Sequence, residues 1–222
     1  MKNKNYILFD LDGTLTDPGE GIINSLQYSL KHFNIKGKPE TLRKFIGPPL
    51  IDSFMGFYGF DKETALKAIK YYRQYFHAEG VLQNYVYPGI DKLLKTLTAR
   101  GKKLAVATTK PTVYALQVLE HFELLTYFPE DLVVGSFLDG RRTDKAELIQ
   151  TALSLLDGDH DSTVMVGDRK FDILGAKAAK ITPVGVTYGY GERAELEKAG
   201  AAVIVDSVRE LSELLLGGSR QA

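Results

Sequence analysis

Two aspartates stand one residue apart at the end of an apolar run in the stretch ILFDLDGTLTD, which occupies residues 7–17. Carboxylates crowded in this way, here Asp10 and Asp12, repel each other by roughly 4 kcal/mol at a separation of about 4 Å and a surface-like dielectric. A proton or a divalent cation relieves this repulsion. Because the nearby ligands are hard carboxylate oxygens and the chain contains no cysteine, the pattern favours Mg²⁺.

Further polar residues follow the later apolar runs. They are Thr108, Thr109 and Lys110, Lys145 at the start of a helical pattern, and Asp168 and Asp172 in VGDRKFD. In an open parallel sheet, ligands bind outside the carboxyl ends of the strands, so we expect these side chains to meet at one edge. Carboxylates, a lysine and a threonine hydroxyl around one point suit a tetrahedral anion. The set therefore favours phosphoryl transfer through an aspartyl-phosphate.

The elements that must position these residues are short apolar runs that alternate with helical patterns. The runs are Tyr6–Phe9, Lys102–Thr109, Leu132–Phe137, Thr163–Asp168, Thr182–Gly189 and Ala201–Asp206. Apolar residues at successive positions indicate strands that are covered on both faces, and alternation with helices indicates parallel pairing through crossovers. The sequence therefore predicts a doubly wound α/β fold with a Rossmann-like parallel sheet.

One region, from about Asp17 to Tyr87, contains helical patterns only. Its predicted buried faces are Ile22, Leu26, Leu30 and Phe33 on one helix and Leu66, Ile69, Tyr72 and Phe76 on another. Gly19 and Gly21 at one junction and Pro88-Gly89 at the other have the chemistry of hinges. We therefore expect a discontinuous α/β core of residues 1–16 and 88–222, with an all-helical domain of residues 17–87 inserted after the first strand.

The charge balance limits the classes of partner. Lys and Arg together number 28, as do Asp and Glu, and a net charge of zero gives no long-range attraction to nucleic acid or to an anionic membrane. No apolar stretch has the length of a membrane span, and the N-terminal run is too short for a signal peptide. We expect a cytoplasmic protein, a monomer or a homodimer, that binds a small phosphorylated substrate. The terminal GGSRQA is typical of a frayed tail.

In these residues and their order, the sequence resembles the haloacid dehalogenase superfamily of phosphatases, and the resemblance covers essentially the whole chain. DLDGTLTD matches the first motif of that family. The resemblance implies that Asp10 is the nucleophile and that Asp12 is the general acid and then the base for water. It also implies that Asp10 binds Mg²⁺ through its side chain and Asp12 through its backbone carbonyl.

The remaining motifs assign the other candidate residues. Thr108 matches the second motif, the hydroxyl that binds the phosphoryl group, and VGDRKFD matches the fourth. The resemblance thus implies Asp168 as a Mg²⁺ ligand and Asp172 as an outer or water-mediated one. For the third motif we favour Lys145 over Arg142, although TDKAELI departs from the usual Lys-Pro-x-Pro context.

Several further residues are candidates for substrate binding. Gly13 and Thr14 follow the acidic pair and could offer backbone amides to the phosphoryl group. Thr109 and Lys110 follow Thr108, with the alternative that they only shape the strand end and that Lys110 is solvated. In the helical domain, the rigid Gly47-Pro48-Pro49 turn close to Arg43 and Lys44 is the stretch predicted to reach the active site.

The type of phosphatase is indicated by less specific likenesses. FIGPPL, VYPGI and YGYGERAELEKAGA resemble the phosphoglycolate phosphatase group, which includes pyrophosphatases and nucleotidases and carries a helical cap of this type. Dehalogenases lack an aspartate at the position of Asp12, and cation-pump ATPases have a Lys-Thr pair there. The alternatives left open are a sugar phosphomutase of the same fold and a non-catalytic protein that binds a phosphorylated ligand.

Overall fold

The computed structural model describes residue 1 and residues 3–217, so all of the predicted tail except Gly217 lies outside the described residues. The chain divides into two compact units, which are Met1–Thr16 together with Val86–Ala222, and Asp17–Tyr85. The strands are β1 Tyr6–Phe9, β2 Thr16–Asp17, β3 Tyr85–Val86, β4 Lys103–Pro111, β5 Val133–Ser136, β6 Thr163–Gly167, β7 Thr182–Val186 and β8 Val203–Val205. The short strands β2 and β3 form a two-stranded sheet where the chain passes from one unit to the other.

The first unit is built on a six-stranded sheet with the order β5-β4-β1-β6-β7-β8, in which every neighbouring pair is parallel. The helices of this unit are α5 Ile90–Ala99, α6 Thr112–His121, α7 Lys145–Leu155, α8 Lys170–Ala178, α9 Arg193–Ala199 and α10 Val208–Leu216. The strand order reverses beside β1, because the chain moves outward to β4 and β5 and then returns to β6 on the other side. This arrangement confirms the predicted doubly wound α/β fold.

The central strand is buried on both faces, as its continuous apolar run predicts. Ile7, Leu8 and Phe9 have no exposed surface, and Leu8 packs in one cluster with Met165 and Leu148. Phe9 is level with Val106 of β4 and Val166 of β6. The residues that follow these three strands therefore emerge side by side at the same edge of the sheet, and this register positions the candidate site.

The second unit is helical apart from the strand residues at its two ends. Its helices are α1 Gly19–Lys31, α2 Pro39–Arg43, α3 Leu50–Tyr58, α4 Lys62–Ala78 and a 3-10 turn at Gly80–Leu82. The predicted buried face of α1 is present at Ile22, Leu26 and Leu30. On α4 the prediction was wrong at Leu66, whose side chain is exposed, because Ala65 and Ala68 complete the buried face with Ile69, Tyr72 and Phe76.

The two glycines predicted as one hinge lie inside a helix instead. Gly19 and Gly21 both belong to α1, and a Cβ on Gly21 would lie 1.9 Å from the carbonyl oxygen of Gly80. Gly21 therefore permits close packing of two backbones within the second unit. Among the described helices, none combines the length and the apolar composition that a membrane crossing requires.

Candidate active site

Asp10 is the first residue after β1 and its backbone N–H donates to Val166 O at 2.9 Å, which continues the pairing with β6. The chain then turns sharply, with Gly13 N donating to Thr16 O at 2.7 Å and Thr14 N donating to Leu11 O at 3.2 Å. Gly13 has φ +84°, a conformation that glycine adopts without a steric penalty. The amides of Gly13 and Thr14 thus already have backbone acceptors, whereas the buried Thr14 hydroxyl has no hydrogen-bond partner within the described part of the chain.

Three aspartates, one after β1 and two after β6, form a buried carboxylate cluster. Asp10, Asp168 and Asp172 each offer an oxygen, and these oxygens lie within 4.8 Å of one another. Asp168 follows β6, and Asp172 lies in the first turn of α8. Oδ2 of Asp168 accepts from Tyr190 N at 2.7 Å, but its Oδ1 has no hydrogen-bond partner among the described residues.

Lys145 supplies the cation at the centre of this cluster. Its Nζ lies 2.9 Å from Asp10 Oδ1 and 2.8 Å from Asp172 Oδ1, and it donates to Ala107 O at 2.9 Å. Lys145 is the first residue of α7, where the Asp144 side chain caps the helix by accepting from Glu147 N. The cap therefore fixes the position from which Lys145 enters the site.

Burial and crowding shift the titration of these groups. Burial, together with the nearby carboxylates of Asp172 and Asp10, raises the pKa of Asp168 well above its ordinary value. Burial raises the pKa of Asp172 to about 6, although the ammonium of Lys145 opposes the shift. Burial lowers the pKa of Lys145, but the carboxylates of Asp10 and Asp172 outweigh that effect and raise it above the ordinary value. The cluster thus favours added positive charge, which a cation would supply.

The donor set fits Mg²⁺. It consists of carboxylate oxygens, it is buried, and one of its oxygens, Asp168 Oδ1, has no hydrogen-bond donor in the described ranges. Hard oxygen ligands of this kind are those that Mg²⁺ prefers. Asp10, Asp168 and Asp172 each offer one carboxylate oxygen to such an ion, and Asp10 and Asp172 are also paired with Lys145.

A second lysine pairs with the second aspartate of the first motif. Lys110 Nζ lies 2.5 Å from Asp12 Oδ2, and the side chain of Lys110 is only 4 % exposed. The alternative of a solvated Lys110 was therefore wrong, because β4 runs to Pro111 and carries this residue into the interior of the site. Burial raises the pKa of Asp12 above its ordinary value, and the neighbouring Lys110 ammonium works against that rise.

The two threonines of the second motif differ in their environment. Thr108 is buried and its Oγ1 accepts from Lys110 N at 3.2 Å. Thr109 uses its carbonyl oxygen to accept from Ser136 Oγ at 2.8 Å, which ties the ends of β4 and β5 together. Thr108 thus lies at the same edge of the sheet as Asp10, while the described contact of Thr109 is structural.

Arg142, the competitor for the third motif, is occupied elsewhere. Its guanidinium donates to Gly135 O at 2.8 Å from Nε and 2.6 Å from Nη2, and it lies 4.3 Å from the centre of the Phe137 ring. Of the two candidates, the structure brings Lys145 to the carboxylates. Sequence spacing left this choice open because both residues precede or begin the same helix.

The segment Tyr188–Gly191, which the sequence analysis did not assign to the site, packs closely against Gly13, Thr14 and Asp168. A Cβ on Gly189 would lie 2.2 Å from Gly13 O, and one on Gly191 would lie 1.8 Å from Asp168 O. Tyr188 donates its hydroxyl to Thr14 O at 3.0 Å. The alternation of tyrosine and glycine in YGYG, which begins two residues after the end of β7, was the signal for such close packing. These residues fix the first-motif turn against Asp168.

Arg43 and Gly47 belong to the second unit. Arg43 is exposed at the end of α2, and Gly47 has φ +107° in the turn that precedes α3. Contact of these residues with a substrate stays a prediction.

A model of the family described as haloacid dehalogenase-like hydrolase matches residues 7–186. The chain belongs to this family. The match contains β1, β4 and β6 and all of the clustered aspartates and lysines, and it confirms the predicted superfamily.

Relatives of this haloacid dehalogenase-like hydrolase carry several functional names. The chain is 45% identical over 192 residues to a 5'-nucleotidase of Pseudomonas aeruginosa, with 86% of each chain covered. It is 35% identical over 220 residues to the tyrosine-protein kinase PtkA of Mycobacterium tuberculosis, with 94% of this chain and 72% of that one covered. The crystal structure of a predicted phosphatase from Clostridium acetobutylicum has a TM-score of 0.92 and 50% identity, with 96% of this chain and 99% of that one covered.

These comparisons confirm the class of enzyme that the sequence predicts. The haloacid dehalogenase-like hydrolase is an enzyme of the phosphatase type.

Proposed function

We propose that the protein is a Mg²⁺-dependent phosphatase that hydrolyses a small phosphorylated metabolite through an aspartyl-phosphate on Asp10. The observation that carries this proposal is the position of the Asp10 carboxylate. It lies at the carboxyl end of the central strand, 2.9 Å from the Lys145 ammonium and within 4.8 Å of oxygens of Asp168 and Asp172. In a doubly wound sheet this edge is where ligands bind.

The metal would be held by the side chains of Asp10 and Asp168 and by the backbone carbonyl of Asp12, with Asp172 as an outer ligand. Bound there, Mg²⁺ supplies positive charge that reduces the repulsion between the carboxylates and an incoming phosphate. The chain's own residues perform the bond-making and proton-transfer steps.

In the first step an Asp10 carboxylate oxygen attacks phosphorus in line as the bond between phosphorus and the leaving oxygen breaks. Asp12 donates its proton to that leaving oxygen, so the product departs as a neutral hydroxyl group. The raised pKa of Asp12 favours the protonated form that this step requires. Lys145 and the Thr108 hydroxyl balance the charge on the equatorial oxygens.

In the second step water attacks the phosphorus of the aspartyl-phosphate. Asp12, now ionised, takes the proton of the water, and the bond between phosphorus and Asp10 breaks to release inorganic phosphate. The Thr14 hydroxyl, which is buried without a hydrogen-bond partner within the described residues, is available to a phosphoryl oxygen. Gly13 contributes by bringing the backbone close to Asp168.

The helical unit Asp17–Tyr85 is proposed to act as a cap that selects small substrates, with Arg43 and Gly47 facing the leaving group. Closure of such a lid excludes bulk water from the reacting groups. Candidate substrates are a phosphoglycolate-like ester, pyrophosphate and a nucleotide. The relative named a 5'-nucleotidase supports the last of these.

The test is phosphate release from a panel of small phosphorylated metabolites with and without Mg²⁺, with the Asp10→Asn variant as the blank. We expect Mg²⁺-dependent release that is absent from the variant, with one compound well above the rest. Transfer of the phosphoryl group between positions of one sugar would instead indicate a phosphomutase. Transfer from ATP to a tyrosine, as the name of PtkA suggests for that relative, would indicate a kinase. Binding without turnover would contradict an enzymatic role.

A further inference from the structure

A carboxylate outside the cluster, that of Glu195, contacts the loop that carries Asp168 and Asp172. Glu195 lies in the first turn of α9. Its Oε1 accepts from Arg169 Nε at 3.0 Å and from Lys170 N at 2.8 Å, and its Oε2 lies 3.4 Å from Arg169 Nη2. Arg169 and Lys170 stand between the two aspartates in the sequence. Glu195 therefore holds the middle of that loop.

These contacts help to fix the start of α8. The first amides of a helix have no acceptor within it and need one from elsewhere. The N–H of Lys170, the first residue of α8, donates to Glu195. The N–H of Arg169, which precedes it, donates to Asp172 Oδ2 at 2.9 Å. The position of this helix start, and of Asp172 on it, is thus set in part by a carboxylate from another helix.

The ion pair between Glu195 and Arg169 is largely shielded from solvent. The side chain of Arg169 is 15 % exposed and that of Glu195 is 25 % exposed. The pair between Arg193 of the same helix and Asp206 is more open, with side chains 46 % and 57 % exposed. Exposed pairs contribute little, whereas hydrogen bonds between charged groups are the strong ones when solvent is excluded. Of these two pairs, the one at Glu195 is better suited to hold a fixed geometry.

Groups that hold metal ligands in place contribute to metal affinity, and loss of one typically weakens binding by about 10- to 100-fold. We propose that Glu195 is a positioning residue for the metal site, which holds the loop so that the carboxylates of Asp168 and Asp172 stay together around the ion. This inference rests on the proposed function, in which these aspartates bind Mg²⁺. It gives Glu195 no contact with the substrate or with the reacting atoms.

The experiment measures the affinity of the metal-free protein for Mg²⁺ alone by isothermal titration calorimetry. The temperature is kept well below that of unfolding, so that a general loss of stability does not change the result. Glu195→Ala is expected to raise the Kd for Mg²⁺ about tenfold or more. Glu195→Gln keeps a side-chain oxygen that can accept from Lys170 N, and its Kd is expected to stay within about threefold of the wild-type value.

Glu197→Ala is the matched control. Glu197 lies on the same helix and its side chain is 59 % exposed, so this variant removes an identical charge without touching the loop. Its Kd for Mg²⁺ is expected to equal that of the wild type. A long-range effect of charge would weaken Mg²⁺ binding in Glu195→Gln and in Glu197→Ala as well, whereas a positioning role would not.

Kinetics provides a second readout. In Glu195→Ala, the Mg²⁺ concentration that gives half-maximal phosphate release should rise about tenfold, in line with the weaker binding. The kcat at saturating Mg²⁺ should stay within about threefold of the wild-type value, because the bound ion favours the loop conformation that binds it. A loss of kcat with an unchanged Mg²⁺ requirement would overturn the inference.

The outcomes separate this inference from the function on which it rests. Wild-type Mg²⁺ affinity in Glu195→Ala, or equal weakening in Glu195→Ala and Glu195→Gln, would overturn the inference and leave a phosphatase in place. Absence of Mg²⁺ binding by the wild type would overturn the proposed function itself. If Glu195→Ala fails to fold, Glu195→Asp keeps the charge but withdraws the carboxylate by one methylene. The same weakening is expected there, and wild-type affinity would overturn the inference.

Discussion

The ammonium of Lys145 lies 2.9 Å from Oδ1 of Asp10, and both side chains are almost fully buried. The pair joins the start of α7 to the end of β1, two elements that are far apart in the sequence. Removal of one partner from a buried ion pair leaves an uncompensated charge, which typically costs about 3–5 kcal/mol. The contact therefore bears on stability and, under the proposed function, also on activity.

Replacement of Lys145 is the sharpest test of the third-motif assignment. We expect Lys145→Ala to lower kcat/KM by about 100-fold or more, because the equatorial phosphoryl oxygens lose a charge-assisted donor. Arg142→Ala should stay within about threefold of the wild type, since its guanidinium binds Gly135 O and covers Phe137. Steady-state kinetics on both variants provides the measurement, with thermal unfolding to exclude misfolding. The reverse ranking would move the role to Arg142.

Replacement of Asp10 by asparagine should abolish turnover while it keeps the shape of the side chain. We expect kcat to fall by about a thousandfold or more, since a neutral amide cannot form the covalent intermediate. In the wild type, rapid quenching with a labelled substrate should trap a protein-bound phosphoryl group that hydroxylamine releases, as expected for an acyl phosphate. Retention of that label in Asp10→Asn would contradict Asp10 as the nucleophile.

Metal binding should stabilise the protein, and the effect should depend on pH. The pKa of Asp172 is about 6 in the folded chain, against an ordinary 3.8. The folded state therefore binds more protons than the unfolded state between these values, and the metal-free protein loses about 2–3 kcal/mol of stability as pH rises through this window. Mg²⁺, which binds ionised carboxylates, should offset that loss above about pH 6.

The measurement is the melting temperature with and without Mg²⁺ at about pH 7.5 and about pH 5. At the higher pH we expect a rise of several degrees, on the scale of about 2–4 °C per kcal/mol for a chain of this size. At the lower pH the rise should be smaller, and Asp168→Asn should reduce it at both. A rise that is the same at both pH values would contradict the link to these carboxylates.

Alanine substitutions at two glycines with similar backbone conformations can distinguish the cost of backbone strain from the cost of a steric clash. Gly13 has φ +84° and a Cβ there would lie 2.2 Å from Asp168 Oδ2, whereas Gly140 has φ +88° with no atom within 4 Å of an added Cβ. Gly140→Ala should cost about 1 kcal/mol, the usual penalty of a left-handed alanine, and leave activity near that of the wild type. Gly13→Ala should cost more and lower kcat at least about tenfold, because Asp168 must move. Equal behaviour of the two variants in chemical denaturation and kinetics would show that the contact with Asp168 is unimportant.

The helical unit provides a prediction about substrate choice. Arg43 and Lys44 are exposed next to the Gly47 turn, so their replacement by alanine should leave stability within about 0.5 kcal/mol of the wild type. If this unit is a cap, we expect the ranking of the substrate panel to change, with shifts in kcat/KM of about threefold or more between compounds. Unchanged ratios across the panel would mean that these side chains do not contact the leaving group.

Much of the fold could be predicted because its signals are local. The apolar runs at Tyr6–Phe9 and Thr163–Gly167 are strands in the structure, and their continuous burial follows from coverage on both faces. Periodicity was less reliable on α4, where Leu66 was assigned to the buried face and is exposed. The small residues Ala65 and Ala68 complete the buried face of α4, and small side chains give only a weak hydrophobic signal in the sequence.

The sequence by itself determined which residues could do the chemistry, since Asp10, Asp12 and Asp168 follow directly from the ends of apolar strands. Only the tertiary structure decided which basic side chains form ion pairs with these aspartates. Lys145 rather than Arg142 contacts Asp10, Lys110 is buried against Asp12, and the Tyr188–Gly191 segment closes on Gly13 and Asp168. These contacts join residues far apart in the chain. They depend on strand order and on the exact entry of each helix, which the short-range preferences of a sequence do not specify.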